Sequence, residues 1–565
     1  YDGRDYEYIY VNNEPVFLSG LLDQGFWEEG VYTAPSEEAL KYDIKAMRDR
    51  GFNMIRKHLK IEDPLQYYWA DRLGMFVWQD MPHATYMNAK SNGGETPGRA
   101  VYEYALENML NRDYNHPSVI AVMLFNETWG IDHNGQKASD GMTTNEWIQH
   151  LYYKTKEINP HLLVEDMSPC NNDHIQPTDL NTFHMYPKGY QGSKNTVADR
   201  ERNTYPGSAN NFWGGFRQES EPWLNSEFGG VAAFDGDYDV SWCFKYQTDI
   251  QRQYEKLNGY VYTEPYDIEY ERNGVLTYDR RDKIFGYEDV AYGGDMSIID
   301  LNQPNYVGVD IDPALKAAPG SQYTAPVVAM NWSGETLENP VLKWRFDATD
   351  IYGNYITTGK SGEVPMDFAP YTREQHDISF SLPSQKCVGT FTVWIENNGE
   401  KIAKNFVNVI VTNGKDTAPV SILTEDSAVL RQAAADSNTI QNGVGAITYS
   451  YTLPEGIGAD VLNSMRVIVE ASSLKDASIN HGIDNSAFSQ TTVGSERPSD
   501  MTVSINGHEA GTVYLPDNPR DIRGTLTLTP GEGNGSSAGN YGYLVNLDIP
   551  DSVLETLKEE LAQDS

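Results

Sequence analysis

Up to about residue 290 the chain repeats one pattern: a short, nearly continuous apolar run, then a longer polar stretch whose apolar positions recur every three or four residues. Runs of the first kind read as strands buried on both faces and stretches of the second as amphipathic helices, which predicts repeated β-α units around a parallel sheet. Eight runs qualify: Val16-Phe17-Leu18, Phe52-Asn53-Met54-Ile55, Met75-Phe76-Val77-Trp78, Val119 to Phe125, Leu162-Leu163-Val164, Asn181-Thr182-Phe183, Trp223-Leu224-Asn225 and Tyr260-Val261-Tyr262. Between the first two, Ser36 is placed to cap a helix, Glu37 and Glu38 suit its first turn, Leu40, Ile44 and Met47 share one face, and Gly51 ends it. Similar helical stretches span 101–114, 145–158 and 241–257. Eight strands with intervening helices in fewer than 300 residues predict a (β/α)8 TIM barrel rather than an open doubly wound sheet.

After about Asp300 the texture changes to alternating strands with Gly, Pro and Asn turns. The runs 325–330, 341–346, 391–395 and 405–411 predict a β-sandwich. Thr412 to Thr417 reads as a linker, and a third, mostly β region follows, with a hairpin turn at Asn506-Gly507, a glycine-rich loop over 531–537 and a closing helix over 552–562. The expected organisation is therefore multidomain: a barrel over 1–300, an immunoglobulin-like sandwich over 301–414 and a C-terminal β-sandwich over 415–565.

Charge narrows the function. The 565-residue chain has 43 basic and 81 acidic residues, a formal net charge of -38, which repels phosphate backbones and anionic lipid surfaces. Neither nucleic acid nor membrane is an expected partner, and no apolar run is long enough to span a bilayer. The first residues lack an initiator Met and the regions of a signal peptide, so the expectation is a processed chain or one cut from a longer precursor. Cys170, Cys243 and Cys387 show no metal-binding or disulfide spacing and read as buried thiols. There is no metalloprotease helix, serine elbow, P-loop or dinucleotide fingerprint, and no cofactor or metal is expected. The acidic stretch 517–521 has oxygen ligands for calcium but reads better as a solvated loop.

Two glutamates carry the chemistry. Glu127, in Leu124-Phe125-Asn126-Glu127-Thr128-Trp129-Gly130, follows the fourth strand, and Glu227, in Trp223-Leu224-Asn225-Ser226-Glu227-Phe228-Gly229-Gly230, follows the seventh. In a barrel the loops at the carboxyl ends of the strands face one cleft, and two carboxylates there are what glycosidic bond cleavage requires. These motifs resemble the acid/base and nucleophile motifs of glycoside hydrolase family 2, which includes β-galactosidases, β-mannosidases and β-glucuronidases. The resemblance extends through Leu22 to Trp27, Ile55 to His58, Trp69 to Gly74, Arg112 to Ser118 and Gly259 to Glu264, and so covers the first half of the chain.

The resemblance implies that Glu127 is the general acid and then the general base, and Glu227 the nucleophile of a retaining double displacement. It implies that Asn126 hydrogen-bonds the sugar 2-hydroxyl, and that His184 and Tyr186 occupy the sixth-strand position from which a Tyr bonds the nucleophile carboxylate. The other strand ends add Asp23 with Gln24, Lys57 and His58, Gln79 and Asp80, Asp166 and Glu264 as candidate sugar-binding groups. Trp129 and Trp242, with Trp27, Trp78 and Trp213, suit either a sugar platform or barrel core. Arg56-Lys57-His58 is basic enough to meet an acidic sugar, and internal ion pairing with Asp23 or Asp80 explains it equally well.

Family members normally carry a jelly-roll and an immunoglobulin-like domain before the barrel. This chain begins almost at the first barrel strand, so the expectation is that those domains were removed, form a separate chain or were never present, with a homo-oligomer left open. The third region resembles galactose-binding accessory sandwiches, with bracing of the barrel as its alternative role. The Asn-x-Lys motif that holds a uronate is not evident between Asn273 and Lys283. The expected activity is thus that of a secreted or periplasmic exo-glycosidase on an oligo- or polysaccharide, with β-galactoside ahead of β-galacturonide, β-glucuronide, β-mannoside and α-L-arabinofuranoside, and a non-catalytic carbohydrate-binding protein as the alternative.

Overall fold

The computed structural model describes residues 3–82, 97–128, 131, 133, 135–187, 189–229, 240–269, 271, 273–282, 296–312, 314–350 and 355–412, and then 421–424, 431–435, 438–442, 446–450, 459, 462–471, 499–515 and 543–563. Eight parallel strands form one sheet: β1 (Leu18–Asp23), β2 (Met54–Lys57), β3 (Phe76–Asp80), β4 (Val119–Asn126), β5 (Leu163–Ser168), β6 (Asn181–Met185), β7 (Trp223–Phe228) and β8 (Leu257–Tyr262). Their order is β5-β4-β3-β2-β1-β8-β7-β6, and the two end strands lie against each other, which makes a nearly closed TIM-type barrel.

The first strand is displaced from the expected run at 16–18, because Ser19-Gly20 interrupts the apolar pattern without interrupting the strand. Gly20 lets its neighbours close in: a Cβ there would meet Met54 Cε at 2.6 Å. All six residues of β1 are buried.

The outer helices are α1 (Glu37–Arg48), α2 (Pro64–Leu73), α3 (Pro97–Arg112), α4 (Thr144–Ile158), α5 (Gly189–Asn203) and α6 (Val240–Gln251). Ser36 caps α1 as expected, its hydroxyl accepting from the Ala39 amide at 3.2 Å. Helices α2 and α5 are absent from the sequence reading. The first has clear punctuation, an Asp63 cap, Pro64 in the first turn and Gly74 at φ 71 past its end. The second contains two glycines and buries only Ser193 and Val197, so its apolar period is weak.

Eight further strands form a two-sheet sandwich: β9 (Asn305–Val309), β10 (Ala314–Ala317), β11 (Gln322–Asn331), β12 (Pro340–Asp350), β13 (Tyr355–Pro365), β14 (Thr372–Ser381), β15 (Cys387–Asn397) and β16 (Glu400–Val411). Sheet β9-β11-β14 faces sheet β10-β16-β15-β12-β13 across Val327, Phe346, Phe391 and Val407, all fully buried. The sandwich is tied to the barrel through Asp249 of α6, which accepts from Tyr306 Oη at 2.5 Å and Asn405 Nδ2 at 2.8 Å.

In the third region the hairpin Ser499–Ile505 with His508–Leu515 turns on Asn506 (φ 48) and Gly507 (φ 84), the left-handed pair that a tight two-residue turn requires. Arg466–Ala471 pairs with Tyr543–Asp548, and a helix spans Asp551–Gln563. Residues 413–417 of the linker, the glycine-rich loop and the acidic stretch 517–521 lie outside the described residues. No described helix is long and apolar enough to cross a membrane. Cys243 and Cys387 are buried, whereas Cys170, just beyond β5, is partly exposed, a correction to the reading of three buried thiols.

Candidate active site

The sequence makes β4 apolar up to its last residue, Asn126, and gives β7 the polar run Asn225-Ser226-Glu227 after Trp223-Leu224, so polar groups of both strands reach the barrel mouth. Glu127 is the first residue beyond β4, and its amide donates to Ser168 O at 3.0 Å. It and Thr128 both have positive φ, 54 and 59, a conformation non-glycine residues rarely adopt, which turns the chain sharply out of the barrel. Glu227 lies within β7 and is 9% exposed. His184, in β6, stands between the two: its Nδ1 is 2.5 Å from Glu127 Oε1 and 3.6 Å from Glu227 Oε2. One ligand atom from each of these three side chains fits within 4.8 Å of the others, so the two carboxylates are near neighbours. Behind them His184 Nε2 is 2.8 Å from Ser168 Oγ, which donates to Ser226 Oγ at 2.8 Å.

The hydroxyl of Tyr186 donates to Glu227 Oε1 at 2.7 Å and lies 3.0 Å from Thr263 Oγ1. Burial, and then the Glu227 charge, hold this phenol well above its usual range, so it stays protonated and donates.

Arg56 at the end of β2 joins both motifs. Fully buried, it donates through Nε to Asp80 Oδ2 at 2.9 Å, through Nη1 to Ser226 O at 2.7 Å and through Nη2 to Asn126 Oδ1 at 2.8 Å, and Nη1 is 3.5 Å from Glu227 Oε2. Burial alone would lower its pKa, but the Asp80 and Glu227 charges outweigh it and raise it, so the guanidinium is a permanent cation. Because Arg56 only donates, it fixes the Asn126 amide with oxygen inward and nitrogen turned away. The sequence reading treated Arg56 as one member of a basic run; its central place follows from burial and a fixed donor fork.

The remaining candidates divide. Asp80 is buried and shared between Arg56 and His58 Nδ1, the latter at 2.7 Å, so both belong to the scaffold behind Asn126. Three more candidates are held by neighbouring side chains and backbone. Asp23 is buried, accepting from Gly25 N at 2.8 Å, Lys57 Nζ at 3.0 Å and Tyr266 Oη. Lys57 is closed off by Asp23 and by Glu62 at 2.8 Å. Both carboxylate oxygens of Asp166 are taken, by His174 Nδ1 at 2.7 Å and the Ile175 amide at 2.6 Å. All three face structural partners because a buried charge must be paired. Glu264 is fully buried beside Gln24. Trp129 lies outside the described residues, as does the side chain of Trp242 in α6. Trp27 and Trp78 are buried, while Trp213 is 42% exposed and stacks on His133 with ring centroids 4.9 Å apart.

Among the described residues, Glu127, His184 and Glu227 are the one group of three side chains with metal-ligand atoms in mutual reach. The buried Arg56 cation beside Glu227 opposes a second cation there.

A barrel with paired carboxylates at its carboxyl-terminal mouth is the class of a glycoside hydrolase. Residues 4–296, just over half of the chain, match the family description "Glycosyl hydrolases family 2, TIM barrel domain", and the chain belongs to that family. It is 24% identical over 233 residues to a "Putative beta-glucuronidase" of Formosa agariphila, covering 41% of this chain and 25% of that protein. It is 24% identical over 404 residues to a beta-galactosidase of Leuconostoc mesenteroides, covering 67% of this chain and 34% of that one. The chain thus spans about a quarter to a third of these relatives' length. The solved Parabacteroides merdae beta-glucuronidase aligns with a TM-score of 0.43 at 14% identity, covering 91% of this chain and 63% of that one.

Proposed function

We propose that this chain is a retaining exo-glycosidase acting by double displacement, with Glu227 as nucleophile, Glu127 as acid and base, and a terminal β-galactoside as the leading substrate. The observation that carries the reading is the closeness of the two carboxylates, each with an oxygen inside one 4.8 Å cluster. Retaining enzymes hold their carboxyl groups about 5 to 5.5 Å apart, whereas inverting ones leave roughly 6.5 to 9.5 Å for a water.

In the first step Glu127 gives its proton to the glycosidic oxygen as that oxygen leaves the anomeric carbon, and a Glu227 carboxylate oxygen bonds to that carbon. In the second, Glu127 takes a proton from water, the water oxygen bonds to the anomeric carbon and the Glu227 ester is released. Two inversions retain the configuration. Tyr186 and Arg56 hold the Glu227 carboxylate in place, and Arg56 orients the Asn126 amide.

Relatives named as glucuronidases make a uronide the second reading. The test is hydrolysis of nitrophenyl β-galactoside, β-glucoside, β-mannoside, β-glucuronide, β-galacturonide and α-L-arabinofuranoside, with the first-formed anomer read by NMR. Turnover of the β-galactoside with the β-anomer appearing first, and none in Glu227→Ala, is expected. Initial release of the α-anomer from a β-glycoside would exclude double displacement.

A further inference from the structure

Beside the nucleophile, between the ends of β1 and β8, lies a group of polar side chains that the mechanism does not use. Gln24 Nε2 donates to Glu271 Oε2 at 2.7 Å and to Glu264 Oε2 at 3.3 Å. Glu264 Oε1 is buried with no hydrogen-bond partner among the described residues. The same holds for both Asn273 side-chain atoms, Nδ2 and Oδ1, in a residue that is 0% exposed. Leaving such groups without partners costs roughly 1–3 kcal/mol each, which is the expected state of a site that waits for a polar ligand.

The group adjoins the reacting carboxylate. Tyr186, which bonds Glu227, also reaches Thr263, the residue before Glu264. A Cβ placed on Gly229, two residues past Glu227, would come within 3.2 Å of Tyr186 Cε1 and 3.7 Å of Asn273 Nδ2, so Gly229 lets the phenol and the amide approach one another. The Val275 amide donates to Glu264 O at 2.9 Å, which holds the loop carrying Asn273 against the segment that follows β8.

Its chemistry is that of a neutral, acidic-side wall. Burial, followed by the charges of Glu271, Asp267 and Asp23, holds the Glu264 carboxyl well above its usual range, with Gln24 only partly offsetting them. Burial and the Glu227 charge push Glu271 to about 7. Among the described residues the nearby cations are already engaged, Lys57 with Asp23 and Glu62, Arg280 with Asp43, and Arg56 with Asp80, Glu227 and Asn126.

We infer that Gln24, Glu264, Glu271 and Asn273 form a sugar-binding wall next to Glu227 that takes the hydroxyl groups of a neutral sugar and turns away a uronic acid. Hydroxyls satisfy its unpaired donor and acceptor atoms, whereas a carboxylate adds a negative charge beside Glu227 and Glu271 with no uncommitted cation among the described residues to offset it. This rests on the proposed role of Glu227 and names the substrate class of that same site.

The test uses aziridine analogues of cyclophellitol in the gluco and galacto configurations, each with either a hydroxymethyl or a carboxylate group at the carbon corresponding to C6. Attack forms an ester between Glu227 and the ring carbon and breaks the carbon–nitrogen bond, with Glu127 protonating the nitrogen. Labelling rates are read by intact mass. The wild-type chain should react with a hydroxymethyl probe at least tenfold faster than with its carboxylate twin. Glu271→Gln, an isosteric change at a partly exposed position, should narrow that ratio by about tenfold, and Asn273→Ala should slow the hydroxymethyl probe. Equal rates for the two probes in the wild type, or an unchanged ratio in Glu271→Gln, would overturn the wall while leaving Glu227 as nucleophile. Labelling by none of the probes would overturn the nucleophile and the wall together.

Discussion

Arg56 Nη2 donates to Asn126 Oδ1 at 2.8 Å, so a buried cation on β2 sets the orientation of an amide on β4. The same guanidinium holds Asp80 and approaches Glu227, and nothing else on β2 can replace its fork of donors. Replacing it with Met removes the charge that Asp80 and Glu227 share. Arg56→Met should lose about 3–5 kcal/mol of stability, the usual cost of breaking a buried ion pair from one side. Urea unfolding followed by tryptophan fluorescence checks this; a change below about 1 kcal/mol would mean that water or a neighbour compensates.

Tyr186→Phe removes one hydrogen bond to the Glu227 carboxylate and leaves the ring. Bonds to charged groups contribute roughly 1.5–3 kcal/mol, so kcat/KM on an aryl glycoside should fall about 10- to 100-fold while the melting temperature hardly moves. An equal fall in stability would assign the hydroxyl a packing role instead.

Glu127→Ala deletes the proton donor but spares Glu227. Hydrolysis of an aryl glycoside with a good leaving group should then stall at the glycosyl-enzyme, and azide should restore turnover by attacking the anomeric carbon as the Glu227 ester breaks. The β-glycosyl azide is the diagnostic product. Azide without effect, in a variant that still forms the ester, would remove Glu127 from the second step.

Glu165, on β5, is fully buried and accepts from Thr182 Oγ1 at 2.5 Å. Burial pushes its carboxyl to about 8, against the pull of His174 and Arg56 and with the help of Asp80. The unfolded group titrates near 4.5, so the folded chain binds the proton more tightly. Its contribution is full below that pH and is lost as pH rises through about 8, a loss on the order of a few kcal/mol. Glu165→Gln should flatten the fall in urea midpoint between about pH 5 and pH 8.5. Parallel profiles for the two proteins would show that other groups govern that range.

Much of the site was legible because strand ends announce themselves. An apolar run such as Val119 to Phe125 stops at Asn126-Glu127, and Glu227 likewise follows Leu224, so the residue types and their place in the repeat point at the mouth of the barrel. The His184 and Tyr186 positions were reached by family resemblance, and the structure brings both against the two glutamates. Glu271 and Asn273 sit in a polar loop with no periodic signal, and neither stands at a strand end. Asp23, Lys57 and Asp166 stand at strand ends yet are internal, because position along a strand does not reveal which neighbour will claim a charge.

The sequence by itself determined the eight strand runs, four of the outer helices, the barrel, the family and the places of the two glutamates, since these depend on local periodicity and on short motifs. Only the tertiary structure decided which charges pair, that Arg56 links Asn126 with the Glu227 motif, and that Gln24 meets Glu264 and Glu271. Those facts depend on burial and on distances between residues up to 247 positions apart, from Gln24 to Glu271, and pairing energies in a buried site change with every ångström.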